Sequence, residues 1–260
     1  MLSAVEIKSP EQIEKMRATC RLAAKVLEFI RPHVVPGVTT GQLDKLCHDF
    51  ILDHGAYPAP LNYKGFPRSI CTSVNEEVCH GIPGNRVLRE GDIVNLDITT
   101  ILDGYHGDTS DMFLVGEVSD EARKLVEVTR ESMWRGIRAV RPGGRIGDIG
   151  AAIYAFAHGE HGYGVVEAYC GHGIGREFHM PPQISHVGQE GRGRRLKPGM
   201  TFTIEPMINT GSPECRVLDD GWTAVTIDGG LSAQTEHTVL VTEDGVEVLT
   251  LRSDETPPGP

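Results

Sequence analysis

Polar and apolar positions along this chain fall into two similar rounds. In the first, Ser9-Pro10-Glu11-Gln12 reads as a capping box with proline at the first helical position. Ile13, Met16, Cys20, Ala23, Leu27 and Ile30 then recur at three- and four-residue steps, which puts one apolar stripe on a helix that Pro32 and Pro36-Gly37 stop. A second helix is expected from Thr39 or Thr40, presenting Leu43, Leu46, Cys47, Phe50 and Ile51 and ending at Gly55. In the second round Ser119 caps a helix carrying Ala122, Leu125, Val126, Thr129, Met133, Ile137 and Val140, stopped by Pro142-Gly143. Ile146, Ile149, Ile153 and Phe156 predict one more helix, ending near Gly159 or Gly162. The two Pro-Gly stops, and Tyr57 with Tyr163, share an offset of 106.

Past the helices both rounds switch to period-two alternation, and both strands reach an acid. The first reads His80-Gly81-Ile82, Leu88-Arg89-Glu90-Gly91, then a strand to Asp97. The second reads His172-Gly173-Ile174, Leu196-Lys197-Pro198-Gly199, then a strand to Glu205, with six residues from glycine to acid each time. Val94, Leu96 and Ile98 take one face of the first strand, and Asn95, Asp97 and Thr99 the other. Asp103-Gly104 signals a two-residue hairpin. It would pair Leu102 with Tyr105 and Asp97 with Ser110, leaving Asp108 a diagonal neighbour of Asp97 roughly 7–8 Å away. A one-residue slip would separate the two acids onto opposite faces. Glu205 is followed by Pro206, which limits further pairing, and Glu236 lies in a strand-like run from Ser232 to Val241. The expected fold is α+β: one pseudo-two-fold, duplicated domain over 1–250, with halves at about 9–115 and 119–250. A central antiparallel sheet is covered by helices, the site lies where the halves meet, and 251–260 form a flexible tail.

Composition narrows the chemistry. The chain has 260 residues, 39% of them hydrophobic, and a net charge of −11, which argues against nucleic acid as the main ligand. The one basic stretch, Arg192 to Lys197, reads as a solvated loop. No run is long and apolar enough for a membrane span, and the start, Met1 to Lys8, lacks a signal-peptide pattern. Six cysteines without paired spacing suit reduced thiols and a cytoplasmic protein. Asp97, Asp108, Glu205 and Glu236 are embedded in apolar strands, where unpaired carboxylates are expensive, and no matching set of Lys or Arg is placed to neutralise them. Divalent cations would. His80, His172 and His179 are each framed by Gly or Pro, which marks them for function. His33, His48, His54, His158, His161 and His186 are set aside as structural or surface residues, and His106 and His237 fall on the other strand face or in the turn. Four acids and a histidine form an oxygen-rich set suited to paired Mn²⁺, Fe²⁺, Co²⁺ or Zn²⁺, and paired ions activate water. The residues alone reach metal-assisted hydrolysis and stop there.

The stretches Asn75-Glu-Glu-Val-Cys-His-Gly-Ile-Pro83, Gly91 to Asp97, Gly104 to Ser110, Cys170 to Arg176, Lys197 to Met207 and Leu231 to Thr238 resemble type I methionine aminopeptidases over about residues 8–250. The resemblance implies the duplicated "pita-bread" fold and removal of an N-terminal methionine, when the second residue is small, by attack of metal-activated water on the first peptide bond. It implies Asp97 on one metal, His172 and Glu205 on the other, and Asp108 and Glu236 bridging. Glu205 would also shuttle the proton, His179 would stabilise the oxyanion, and His80 would contact the substrate amide or relay a proton. Tyr63, Phe66, Cys71, Phe178 and Trp222 would form the methionine pocket, and backbone carbonyls around Asn75, Glu77 and Ser232 a monovalent cation site for Na⁺ or K⁺. Met180 stands where members often carry Glu, and Pro60 where some carry Cys; both bear on substrate preference. Family members are usually monomeric, and some dock on ribosomes through a long zinc-binding N-terminal extension that this chain lacks. Two rivals remain. X-Pro peptidases of the same fold usually carry a large N-terminal domain, whereas here the first repeat begins within about ten residues of Met1. A binding module for peptides or RNA would be marked by lost metal ligands, and none is lost.

Overall fold

The computed structural model describes residues 4–256. α1 (Pro10–Ile30) starts from Ser9, whose hydroxyl accepts the Gln12 amide while the Gln12 side chain takes the Ser9 N–H. α2 (Thr40–Asp53) repeats that reciprocal cap with Thr39 and Gln42. α3 (Asp120–Arg138) is capped by Ser119. α4 (Ile146–Tyr154) widens into a π-helical turn, Ala155–Glu160, so the fourth helix keeps its α geometry for a shorter length than its apolar spacing predicts.

Among the described residues nine strands form one antiparallel sheet. Its middle is Ile93–Leu102, Tyr105–Leu114, Glu236–Val241 and Thr201–Ile204, two strands from each round of the sequence. Tyr57–Pro58 and Cys71–Val74 pair with Ile93–Leu102 on one side; Gly171–Gly173 and then Met180–Ile184 extend the other. Asp103 and Gly104 both take positive φ, 50° and 77°, as a type I′ turn requires. The hairpin has the expected register, Leu102 opposite Tyr105 and Asp97 opposite Ser110. The run Ser232–Val241 is not one strand. Ser232–Gln234 pairs with Met207–Asn209 in a separate sheet, and Glu236–Val241 joins the main one after a break at Thr235.

The helices cover one face of the sheet, one pair per half. Leu27, Ile30, Leu43 and Ile51 of α1 and α2 pack with Val94, Leu96 and Ile98. Leu125, Met133, Ile149 and Ile153 of α3 and α4 pack with Phe202, Ile204, Val239 and Val241. Each such buried side chain contributes about 1.5–3 kcal/mol, which fixes the strands' facing and sends Asp97 and Glu205 to the side away from the helices. α1 lies directly on the sheet at Gly107, where a Cβ would sit 2.6 Å from the Cys20 amide nitrogen.

The chain beyond 250 departs from the flexible tail expected of it. Arg252 is buried, with Nη1 donating to Thr109 Oγ1 at 3.4 Å, and Glu255 reaches His237 Nε2 at 3.2 Å. The segment is therefore anchored through Glu255, and 257–260 lie outside the described residues. No helix among the described residues is long and apolar enough to cross a membrane.

Candidate active site

The acids converge because four neighbouring strands bring them side by side, Glu205 at the end of Thr201–Ile204. Ser110 stands between Asp97 and Glu236, opposite each in the next strand, and Asp108 lies opposite Thr99, whose hydroxyl it accepts at 2.7 Å. Gly171–Gly173 brings His172 in from the far side, with Nε2 3.6 Å from Asp108 Oδ2 and 3.6 Å from Glu205 Oε1. Ligand atoms of Asp108, His172 and Glu236 all lie within 4.8 Å of one another. Asp97, Asp108, His172, Glu205 and Glu236 share one cavity of about 190 Å³ with His80, His179, Tyr63, Phe66, Cys71, Phe178 and Trp222. Asn75, Glu77 and Ser232 lie elsewhere: the Ser232 amide donates to the Asn75 carbonyl at 2.8 Å, and Glu77 accepts the Val74 amide at 2.7 Å.

Loss of water raises the proton affinity of all four acids, and on Asp108 and Glu236 the charges of their neighbours raise it further. Asp97 Oδ1 is buried without a protein hydrogen-bond partner. The histidines shift the opposite way. Burial lowers His172 to about 4 and pushes His80 and His179 down as well, so all three rings are neutral at pH 7. His172 Nδ1 lies 3.1 Å from the Gly173 carbonyl, which can only accept, so the proton sits there and Nε2 keeps its lone pair. His179 Nδ1 lies 2.9 Å from the Tyr63 hydroxyl; with the phenol donating, the ring carries its N–H on Nε2.

Residues 14–243 match metallopeptidase family M24. The chain is 54% identical over 257 residues to the methionine aminopeptidase of Escherichia coli (strain K12), covering 98% of this chain and 97% of that one. It is 56% identical over 252 residues to methionine aminopeptidase A of Synechocystis, covering 96% and 99%. The crystal structure of methionine aminopeptidase from Rickettsia prowazekii superposes with a TM-score of 0.94 at 54% identity, covering 95% of this chain and all of that one. The chain belongs to the methionine aminopeptidases of family M24.

As expected for an M24 metallopeptidase, the donor set fits divalent metal. Four buried carboxylates, one with an orphaned oxygen, and one imidazole with a free lone pair need cationic charge. The cation that lines the cavity, Lys64, sits with Nζ 5.2 Å from the Tyr63 ring.

Sequence reasoning missed what holds the M24 acids in place. His186, set aside as structural or surface, is fully buried, and its Nε2 accepts the Glu205 amide at 3.2 Å. Thr203 donates to Glu205 Oε1 at 2.6 Å and Gln234 to Oε2 at 3.2 Å. Gly188 follows His186 at the same distance as Pro181 follows His179, so local framing does not separate the two; its position beside Glu205 comes from the fold. His106, assigned to the other face or the turn, lies in the strand on the same face as Asp108 and stacks against Phe178 at 5.7 Å, behind the site wall. His237 does point away, to Thr250 and Glu255.

Proposed function

We propose that this chain removes the N-terminal methionine from newly made proteins whose second residue is small. The observation that carries the reading is the convergence of five metal-ligand residues beside an aromatic and thiol pocket. Asp97 would hold one divalent ion, His172 and Glu205 the other, and Asp108 and Glu236 both. When bound, the ions supply Lewis acidity that polarises the scissile carbonyl and makes water nucleophilic at neutral pH. Co²⁺, Mn²⁺, Fe²⁺ and Zn²⁺ all suit the set, with a monovalent Na⁺ or K⁺ near Asn75, Glu77 and Ser232.

The side chains divide the remaining work. Tyr63 and Phe178, with ring centroids 5.0 Å apart, and Phe66 edge-on to Trp222 at 5.2 Å make an apolar pocket for the thioether. Burial holds the Cys71 thiol protonated there. Glu205, oriented from three sides by His186, Thr203 and Gln234, takes the proton from attacking water and passes it to the leaving amine. His179 donates from Nε2 to the oxygen where negative charge develops. His80, edge-on to Tyr169 at 5.3 Å, is placed to contact the substrate amide. Cytoplasmic location, a monomeric state and meeting the substrate as it leaves the ribosome complete the proposal.

The test is release of free methionine from Met-Ala-Ser and Met-Leu-Ser by metal-stripped protein with Co²⁺ or Mn²⁺ restored, beside a Gly-Pro-Met peptide. Metal-dependent cleavage of Met-Ala-Ser, with Glu205→Gln slowed about 10²–10⁴-fold, is the expected result. Cleavage of the Gly-Pro peptide alone would move the chain to the X-Pro peptidases.

A further inference from the structure

The two halves of the sheet meet where Tyr105–Leu114 pairs with Glu236–Val241, with Glu236 opposite Ser110 and His237 opposite Thr109. Asp108 and Glu236 line the catalytic cavity from this junction. Each of the two acids has its main-chain carbonyl held by a hydroxyl of the facing strand. Thr109 Oγ1 donates to Glu236 O at 2.7 Å, and Thr238 Oγ1 donates to Asp108 O at 2.8 Å.

Behind that cross lies the end of the chain. A hollow of about 290 Å³ opens between Arg31, just past α1, and Arg130 and Trp134 of α3, and Arg252, Asp254 and Glu255 line it too. Ser253 N donates to Glu28 Oε1 at 2.7 Å and Asp254 pairs with Arg31 at 3.3 Å, which moors the segment to the first helix pair. Thr250, Arg252 and Glu255 reach the cross itself. Thr250 Oγ1 accepts the Thr238 amide at 3.0 Å and lies 2.9 Å from His237 Nδ1. Glu255 Oε1, which only accepts, lies 3.2 Å from His237 Nε2. A neutral ring therefore carries its proton on Nε2 and takes the Thr250 hydroxyl at Nδ1. Arg252 forks, with Nη1 donating to Thr109 Oγ1 at 3.4 Å and Nη2 to Glu255 Oε1 at 2.5 Å. The Thr109 hydroxyl gives its one proton to Glu236 O, so toward Arg252 it is an acceptor.

A tail held for stability alone would not need this arrangement. Thr109, His237, Thr238, Thr250 and Arg252 are all buried, and a buried ion pair is a weak source of stability. None of Thr250, Arg252 and Glu255 lines the catalytic cavity, so they can act only through the residues they hold.

We propose that Thr250, Arg252 and Glu255 form a positioning strap: from behind the junction they fix the main chain at Asp108 and Glu236, and so set how tightly the site holds divalent metal. The inference rests on the ligand set proposed above and deepens it. Ligand distances tolerate about 0.2 Å, so a slight slip of one strand against the other is enough to lose affinity.

The experiment titrates metal-stripped, full-length protein with Co²⁺ against a chromogenic chelator, which reads a dissociation constant without turnover. Thr250→Val deletes the hydroxyl at nearly constant volume and should weaken Co²⁺ binding about tenfold; Thr250→Ser should restore most of it. Arg252→Lys keeps a cation beside Glu255 but loses the fork to Thr109, and should weaken binding in the same direction. Ile149→Val, in the apolar cluster of α3 and α4, lowers the thermal midpoint without reaching the junction, and should bind Co²⁺ as wild type does. If Thr250→Val and Arg252→Lys bind as tightly as wild type and only their thermal midpoints fall, the segment is a stability anchor and the inference is overturned, while the ligand set stands. It is equally overturned if Ile149→Val weakens binding as far as Thr250→Val does. If wild type itself binds no Co²⁺, the ligand set fails and this inference with it.

Discussion

His172 and His179 stand with ring centroids 4.3 Å apart and, with the Tyr63 phenol donating, carry their protons on opposite nitrogens. The Gly173 carbonyl fixes one as a lone-pair donor toward Asp108 and Glu205; the Tyr63 hydroxyl fixes the other as a hydrogen-bond donor into the cavity. Tyr63→Phe removes only that hydroxyl. We expect kcat to fall about tenfold with little change in KM, and the His179 ring to show mixed tautomers by ¹⁵N NMR; an unchanged spectrum would refute the assignment. His186 acts one step back. His186→Leu buries the Glu205 amide without an acceptor, which costs about 1–3 kcal/mol and should lower the thermal midpoint by several degrees, with His186→Gln recovering part. Gly and Pro neighbours mark the first two histidines in the sequence, but Gly188 stands equally near His186. What hides His186 is a contact made across 19 positions, which leaves no local spacing to read.

Element by element, legibility follows how local the cause is. The Ser9 and Thr39 caps and the Asp103-Gly104 turn are set within four residues, and they form as the sequence predicts. That turn also sets the register placing Asp97 and Asp108 on one face. The break at Thr235 was illegible because its cause is non-local. Asn95 Nδ2 donates to the Gln234 carbonyl at 2.7 Å, across 139 positions, and the two parts of the run pair with different strands. The fourth helix reaches its expected end near Gly159, but its last turns widen into π geometry after Tyr154, which its apolar spacing through Phe156 does not signal. Seating of α1 against the sheet yields a prediction at this scale. Gly107→Ala would press a methyl into the helix backbone at Thr19 and Cys20, so stability should drop by about 1–3 kcal/mol or more, read as a lower urea midpoint. A change within about 0.5 kcal/mol would mean that α1 slides freely.

For the molecule as a whole, the site couples folding to pH and metal. Burial raises Asp97 to about 7 and Glu205 to about 8, with Asp108 and Glu236 also raised. In chelated protein the folded state keeps protons that the unfolded chain gives up above about pH 4. Rising pH therefore costs this site stability from there through those raised values. Metal binding displaces the same protons, so the gain in thermal midpoint on adding metal should grow between about pH 5 and 8. A gain that stays flat across that range would contradict the raised affinities. The two-round pattern was legible because each half repeats its own helices, turns and acid-tipped strand. The ladder between the loop 189–197 and the start of α4 was not, since its bonds, such as Ile146 N to Arg194 O at 3.0 Å, join residues 48 positions apart.

Between the two central hairpins the seam is short: Glu236 opposite Ser110 and His237 opposite Thr109. Asp97 and Asp108 lie on one side of it, and His172, Glu205 and Glu236 on the other. An ion held by these residues, as proposed above, would act as a rivet through the seam, tying together two halves whose apolar clusters are mostly their own. Chelation should therefore speed amide hydrogen exchange first at Thr109, Ser110, Glu236 and His237, before either helix pair loosens. The repeat that built the catalytic site would then also have made its cofactor the fastener of the fold.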